Sequence, residues 1–303
     1  GGNYNVVVGD EAGTAITTGD TNVAVGYAAL STEDTASRST AVGYRALLTQ
    51  NAGDVSTFNV AIGYEAGFGM TTGVENTLIG GAAGDALTDA DYNVAIGRGA
   101  LSDDTLGSQS VAIGYLALNV QNFTTATNSL NTAVGTKAGL NVTTGVQNTL
   151  IGAESGDALT TGNHNTAVGH NALAVDTLGS KSVAVGNGTL GTQNFTTATN
   201  VYNVAIGYDA GLSVTTGTSN VLIGGLAGDA LTDADFNIAI GKNSLGADTL
   251  GSASVAIGHG ALLTQNFTTA TTVYNVAVGH NAGKLITTGT GQTLIGGLAG
   301  DAI

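Results

Sequence analysis

The chain has no cysteine, proline or tryptophan and only one methionine among its 303 residues. Without cysteine it can form neither disulfides nor Cys-ligated metal sites, and it has no thiol for catalysis. Without proline, every peptide N–H stays available to a continuous hydrogen-bonded ladder. Basic residues are scarce, with 7 Lys and Arg against 22 Asp and Glu. The resulting net charge of −15 repels phosphate backbones and anionic lipid, so neither nucleic acid nor a membrane surface is an expected partner.

Long apolar runs are also lacking. No segment approaches the roughly 20 apolar residues of a membrane-spanning helix, so we expect no direct membrane insertion by this chain. No signal peptide is recognisable either. Because the sequence opens at Gly1-Gly2 and stops inside a repeat at Ile303, we expect it to be an excerpt of a longer fibre protein.

Glycine is abundant, with 48 residues, and much of it belongs to one repeated motif. A pentad of the form Asn/Ser–Val/Thr–Ala/Leu–Ile/Val–Gly recurs 17 times. The closing glycines are Gly9, Gly26, Gly43, Gly63, Gly80, Gly97, Gly114, Gly135, Gly152, Gly169, Gly186, Gly207, Gly224, Gly241, Gly258, Gly279 and Gly296. Most intervals are 17 residues, too short for a helical hairpin and suited to one turn of a β-solenoid.

A second, longer period of 72 residues combines four unlike turns. We number them in the order in which Gly63, Gly80, Gly97 and Gly114 close their pentads, and the fourth type carries an insertion after its pentad. The sequence therefore predicts an all-β fold, a parallel β-solenoid of 17 coils, and residues 1–303 are treated as a single continuous repeat region.

Alternation within the pentad divides its side chains between two faces. In the pentad that ends at Gly26, we expect Val23 and Val25 to point inside the coil and Ala24 to lie on the other face. That second face is too apolar for solvent, which predicts a buried seam between chains and, as the simplest closed arrangement, a homotrimer. The larger residues assigned to this trimer seam are Leu78, Leu150, Leu222 and Leu294.

Asparagine opens 12 of the 17 pentads. In stacked coils these amides would align into a ladder and satisfy one another, so we assign them a structural role and not a ligand-binding one.

The run Ser110-Val111-Ala112-Ile113-Gly114-Tyr115-Leu116-Ala117-Leu118 closely resembles the head repeats of YadA-like trimeric autotransporter adhesins. Similar repeats with Thr-Thr-Gly turns occur in bacteriophage tail fibres. The resemblance extends through all 17 pentads and implies a left-handed parallel β-roll, trimeric assembly, an extracellular location and a role in attachment. Adhesin-head coils are generally shorter and lack the 72-residue period, so the resemblance leaves bacterial surface adhesin and phage tail fibre both open.

Two acidic segments have oxygen ligands at alternate positions, the spacing that Ca²⁺ uses. They contain Asp89 and Asp91 in one copy and Asp233 and Asp235 in another. No glycine or bidentate glutamate follows at loop spacing, so these four are candidates only and no metal or other cofactor is assigned.

The inserted loops of the fourth turn type contain Phe123, Phe195 and Phe267, each beside Asn and Thr. Exposed aromatics next to amides and hydroxyls suit contact with a glycan or protein receptor, so the loops are the predicted receptor-contact site. The alternative is that each ring folds back and caps the coil.

These features predict a non-enzymatic, structural or adhesive segment of an extracellular fibre. A single-chain binding solenoid, such as an ice- or carbohydrate-binding protein, is the alternative. An ice-binding solenoid would display flat rows of threonine, and here the threonines fall at different turns in different coil types, which disfavours such a lattice. A polysaccharide-cleaving β-helix enzyme would need acids clustered on one face, and the sequence shows no such cluster.

Overall fold

The computed structural model describes residues 2–301 and contains strands, turns and no helix within that range. It divides into two compact units, Gly1–Asn148 (unit 1) and Thr149–Ile303 (unit 2), which are described separately below. In both units the pentads form three-residue strands, one per turn.

Unit 1 contains eight pentad strands and one pair of two-residue strands. The pentad strands are β1 (Val6–Val8), β2 (Val23–Val25), β3 (Thr40–Val42), β4 (Val60–Ile62), β5 (Thr77–Ile79), β6 (Val94–Ile96), β8 (Val111–Ile113) and β10 (Thr132–Val134). The short strands β7 (Gly107–Ser108) and β9 (Thr127–Asn128) pair in parallel where the inserted loop rejoins the coil.

Unit 2 contains nine pentad strands and two such short pairs. The pentad strands are β11 (Thr149–Ile151), β12 (Thr166–Val168), β14 (Val183–Val185), β16 (Val204–Ile206), β17 (Val221–Ile223), β18 (Ile238–Ile240), β20 (Val255–Ile257), β22 (Val276–Val278) and β23 (Thr293–Ile295). The short pairs are β13 (Gly179–Ser180) with β15 (Thr199–Asn200), and β19 (Gly251–Ser252) with β21 (Thr271–Thr272).

Within each unit every pentad strand pairs in parallel with that of the next turn, without a register shift. In unit 2, for example, Ala205 lies opposite Leu222 and Leu222 lies opposite Ala239. The backbone bonds follow the same rule, since the N–H of Val204 donates to Asn220 O at 2.8 Å. The prediction of an all-β parallel solenoid of about 17 turns is therefore confirmed.

The pentad glycine is required by both its backbone angle and its surroundings. Gly207 has a φ of 136°, where L side chains are rarely found, and a Cβ built on it would lie 2.6 Å from the carbonyl carbon of Gly224 in the next turn. The same clash recurs from turn to turn, so any side chain at this position would push the stacked turns apart.

The strand faces are the reverse of the predicted ones. Ala24 is fully buried, while Val23 and Val25 are half-buried on the outside of the coil. Leu78, Leu150 and Leu222 have no exposed surface within one chain, and Leu294, in the last turn, is half-buried. The assignment of these leucines to a trimer seam was therefore wrong, because they fill the interior of the coil.

The interior leucines occupy space that nearby glycines leave free. A Cβ on Gly211 would lie 2.7 Å from Cδ1 of Leu222, and one on Gly228 would lie 2.8 Å from its Cδ2. In third- and fourth-type turns, where alanine is at the centre of the strand, the core is instead filled by a leucine four residues after the pentad glycine, as at Leu190 and Leu245. Both arrangements supply large side chains to a narrow core, as close packing requires.

The asparagine ladder is confirmed, with a more specific bonding pattern than predicted. The side-chain oxygen of Asn203 accepts from the backbone N–H of Asn220 at 2.9 Å, and that of Asn220 accepts from Asn237 N at 2.9 Å. The amide of Asn220 donates to Ala234 O at 2.7 Å. Each amide therefore joins its own turn to the backbone of the next, and the ladder holds two turns together at a buried corner.

The reversed faces generate a stability prediction. Leu222→Ala empties part of the core and is expected to destabilise the surrounding turns by about 2–5 kcal/mol. Val221→Thr, on the outward face, is the matched control and is expected to be nearly neutral, because Thr149 and Thr166 already occupy that column. Amide hydrogen exchange in β16–β18 measures the local effect without assuming two-state unfolding. A larger loss from Val221→Thr than from Leu222→Ala would contradict the placement.

Candidate functional site

The inserted loops hold their aromatic rings inside the protein. Phe123 and Phe195 are 6% exposed and Phe267 is 7% exposed. The prediction that these rings contact a receptor was therefore wrong, and the alternative, in which each ring folds back over the coil, describes the structure. The threonines that follow each ring remain exposed, including Thr196 and Thr197.

A buried carboxylate anchors each inserted loop. In unit 1, Oδ1 of Asp104 accepts from the backbone N–H groups of Gly107 and Phe123, both at 3.0 Å. Its Oδ2 accepts from Nε2 of Gln121 at 2.6 Å. The other side-chain atom of Gln121, Oε1, accepts from Asn131 Nδ2 at 2.8 Å, which connects the carboxylate to the asparagine ladder.

Unit 2 contains two copies of this network. Asp176 accepts from Gln193 at 2.6 Å and from Phe195 N at 3.1 Å. Asp248 accepts from Gln265 at 2.6 Å and from Phe267 N at 3.0 Å. All of these carboxylates and glutamines are fully buried. Burial raises the pKa of the Asp176 carboxyl, and the hydrogen bonds from Gln193 and the loop backbone oppose that rise.

The first inserted loop of unit 1 uses a glutamate in the same place. Oε2 of Glu33 accepts from Gln50 Nε2 at 3.1 Å, and its Oε1 accepts from Ala36 N at 2.8 Å. Gln50 Oε1 then accepts from Asn59 at 2.9 Å. The sequence signal for this network is a Glu or Asp in the third turn type together with a Gln about one turn later, and the sequence analysis did not recognise it.

The acidic candidates for Ca²⁺ bond to the neighbouring turn. Asp89 accepts from the Thr72 hydroxyl at 2.6 Å, and Asp91 accepts from the backbone N–H of Val74 at 2.8 Å. Asp233 and Asp235 make the corresponding bonds to Thr216 at 2.8 Å and to Thr218 N at 2.6 Å. Among residues 2–301, no three His, Cys, Asp or Glu side chains converge in a way that could hold a metal ion.

A shallow acidic groove lies on unit 2. Its lining includes Glu154, Asp157, Asn187, Asp209 and Leu212. Glu154 and Asp157 come from one turn and Asp209 from another, and among residues 2–301 no carboxylates form a chelating cluster.

The same part of unit 2 contains one further perturbed acid. Burial is the main cause of the raised pKa of Asp229, and the charge of Asp209 adds to it.

Stacked rings form a column directly after the pentad glycines. In unit 1, Tyr27, Tyr44 and Tyr64 stack with ring centroids 5.3 and 5.1 Å apart. In unit 2, His259 and His280 stack at 5.2 Å. Because stacked rings cover one another's faces, this column is a ladder that follows the register of the turns.

The outward face of the pentad strands is an extended apolar surface in each unit. In unit 2 its positions hold only Val, Ile and Thr, two per strand over nine strands. None of these side chains is fully buried, and Ile151 and Ile206 are 38% and 39% exposed. An uncharged apolar surface of this extent is unusual for a protein face that meets only water.

Comparison with protein-family models finds no match for this chain, and comparison with curated proteins finds no similar sequence. Among residues 2–301 there is no helix with the length and hydropathy needed to cross a bilayer.

The buried carboxyl groups with a raised pKa lead to a prediction about how stability depends on pH. In Asp176, Asp85 and Asp229 the folded-state pKa lies above the ordinary value of 3.8, chiefly through burial. These three carboxyls therefore bind protons more tightly in the folded chain than in the unfolded chain, so their contribution to stability increases as the pH falls from neutrality toward 3.8. We expect urea unfolding followed by circular dichroism to give a higher midpoint at pH 5 than at pH 7.

Asp176→Asn is the control, since an amide does not titrate. This variant should show a smaller gain between the two pH values than the original chain. A midpoint that falls on acidification would contradict the assigned directions.

Proposed function

We propose that this chain is a non-enzymatic structural and adhesive segment of an extracellular trimeric fibre, in which each chain is a left-handed β-roll. The observation that carries the proposal is the outward Val, Ile and Thr face of the pentad strands. A second copy of the chain is the occupant best suited to it, because each turn offers the same flat, uncharged surface in the same register.

The trimer seam is accordingly reassigned from the leucine face to the outward face. In β17 and β18 the seam residues are Val221, Ile223, Ile238 and Ile240, all half-buried in one chain. Three chains around an axis close the contact without leaving an open face, whereas open association would produce sheets or filaments of undefined size.

The interior chemistry supports a structural role. Asp104, Asp176 and Asp248 are each saturated by hydrogen bonds from a glutamine and from the loop backbone, so their carboxylates serve the fold. The exposed surface of the turns is then the part of the molecule that meets a partner.

The likeness of the repeats to adhesin heads and phage tail fibres supports attachment as the task. Both a bacterial cell surface and a virion tail provide the extracellular setting, and a surface glycan or protein is the corresponding receptor.

Molar mass in solution tests the assembly. Light scattering coupled to size exclusion is expected to give three times the mass of one chain. Ile206→Glu with Ile240→Glu places two charges on the outward face and should shift the mass to that of a single chain, because a buried unpaired carboxylate is costly. Thr196→Glu, on the exposed part of an inserted loop, is the matched control and should remain trimeric. A monomeric original chain would overturn the proposal.

A further inference from the structure

A second column of side chains is formed by the residue just before each pentad. In unit 2 its aromatic members are Tyr202, Phe236 and Tyr274, which are 53%, 64% and 67% exposed. Ser219 and Ala253 occupy the turns between them. We call these five residues the corner column, and its three aromatics the ring row.

The corner column keeps the register of the turns. The backbone N–H of Ser219 donates to Val201 O at 2.9 Å, that of Phe236 to Thr218 O at 3.1 Å, and that of Ala253 to Asp235 O at 2.9 Å. Consecutive members therefore lie one turn apart. At about 4.8 Å per turn, the rings of the row recur about every 9.6 Å along unit 2.

The fold does not require aromatic residues at these positions. Tyr202, Phe236 and Tyr274 have φ angles of 57°, 59° and 57°, in the left-handed region that favours Gly and Asn. Ser219 and Ala253 adopt the same conformation, with φ angles of 59° and 62°. The rings add nothing to the core, since more than half of each is exposed, so their presence points to a contact outside the chain.

The ring row is also open. Lys181 lies over one side of Tyr202, with its Nζ 5.1 Å from the ring centroid. Neither Phe236 nor Tyr274 has a ring or cation partner among the described residues. The small side chains of Ser219 and Ala253 leave a gap on each side of Phe236.

We propose that the ring row binds a neutral, extended β-1,4-linked polysaccharide that runs from turn to turn across the stacked strands. In such a chain each sugar is rotated by half a turn from its neighbour, so the same apolar C–H face recurs at every second sugar. That two-sugar length is close to the two-turn spacing of the rings, and each ring then meets an equivalent sugar face. The net charge of −15 disfavours anionic polysaccharides.

Unit 1 contains one pair of rings with the same spacing, while Tyr4, 87% exposed, occupies the corner position three turns before Phe58. Phe58 and Tyr92 occupy the corner position two turns apart and are 51% and 50% exposed. Arg38 lies over Phe58 with its guanidinium carbon 5.4 Å from the ring centroid, as Lys181 does over Tyr202.

This inference rests on the proposed adhesive function and names its partner class. The test is depletion of the full chain from solution by cellulose, by chitin and by starch, whose α-linked chains are helical. Saturable binding to cellulose or to chitin, with none to starch, is expected, and the two arms identify which sugar is preferred. Binding to none of the three would overturn the inference, as would equal binding to starch.

The variant that removes the rings replaces Phe58, Tyr92, Tyr202, Phe236 and Tyr274 by Asn. Binding should fall at least tenfold, while the thermal midpoint should stay the same or rise, because Asn suits the left-handed conformation. Tyr208→Asn, at a 62% exposed tyrosine outside the corner column, is the matched control and should bind normally. Undiminished binding by the variant with all five substitutions would overturn the inference.

A second variant tests spacing with the number of rings unchanged. In a background of Phe58→Asn and Tyr92→Asn, the pair Phe236→Asn and Ser219→Tyr moves the middle ring by one turn. Binding should fall several-fold relative to that background if ring spacing matters, and unchanged binding would overturn the inference.

Molar mass measured on the same samples separates this inference from the proposed function. A trimer that binds none of the three polysaccharides would contradict only the proposal for the ring row. A monomer that binds cellulose or chitin would contradict only the proposed trimeric assembly.

Discussion

Stacking of the turns without a register shift is the constraint on which the rest of the structure depends. Each pentad strand bonds to the next turn with residue-for-residue alignment, as Val204, Val221 and Ile238 show in unit 2. Every column of side chains therefore continues from turn to turn, so a property repeated in the sequence becomes a property of a surface. The glycine that closes the pentad maintains this stacking, because the backbone of the next turn occupies the place of its side chain.

The same constraint explains the buried carboxylates. An inserted loop has to leave the stack and return to it in register, and its backbone N–H groups then lack partners in the neighbouring turn. Asp176 supplies the acceptors for Gly179 and Phe195, and Gln193 balances the carboxylate from the other side. An apolar residue in place of Asp176 would leave those donors unsatisfied in the interior, which is costly. The polar network is therefore what allows the fourth turn type to be longer than the others.

The sequence predicted the features that depend on the chain's own periodicity. The number of turns, the parallel pairing and the asparagine ladder all follow from counting, because registry converts sequence period directly into position. The choice of strand face did not follow, since both faces of Val23-Ala24-Val25 are apolar. Interior volume decides it: the interior face of the strand takes alanine or leucine, as at Ala24 and Leu222, while the β-branched Val23 and Val25 lie outside. The direction of Phe195 was equally open, because it depends on where Asp176 holds the loop backbone.

Placing the small residues inside has an energetic consequence for assembly. Much of the interior is Ala, Asn, Ser and Gly, so hydrogen bonds supply much of the order of each turn. The larger apolar residues, such as Ile206 and Ile240, face outward and gain their burial only when another surface covers them. Since association stabilises the folded state by mass action, a chain of this design should fold and assemble as linked events. The corner column lies at the margin of that same face, two residues before each strand, so its rings can remain exposed when the strands themselves are covered.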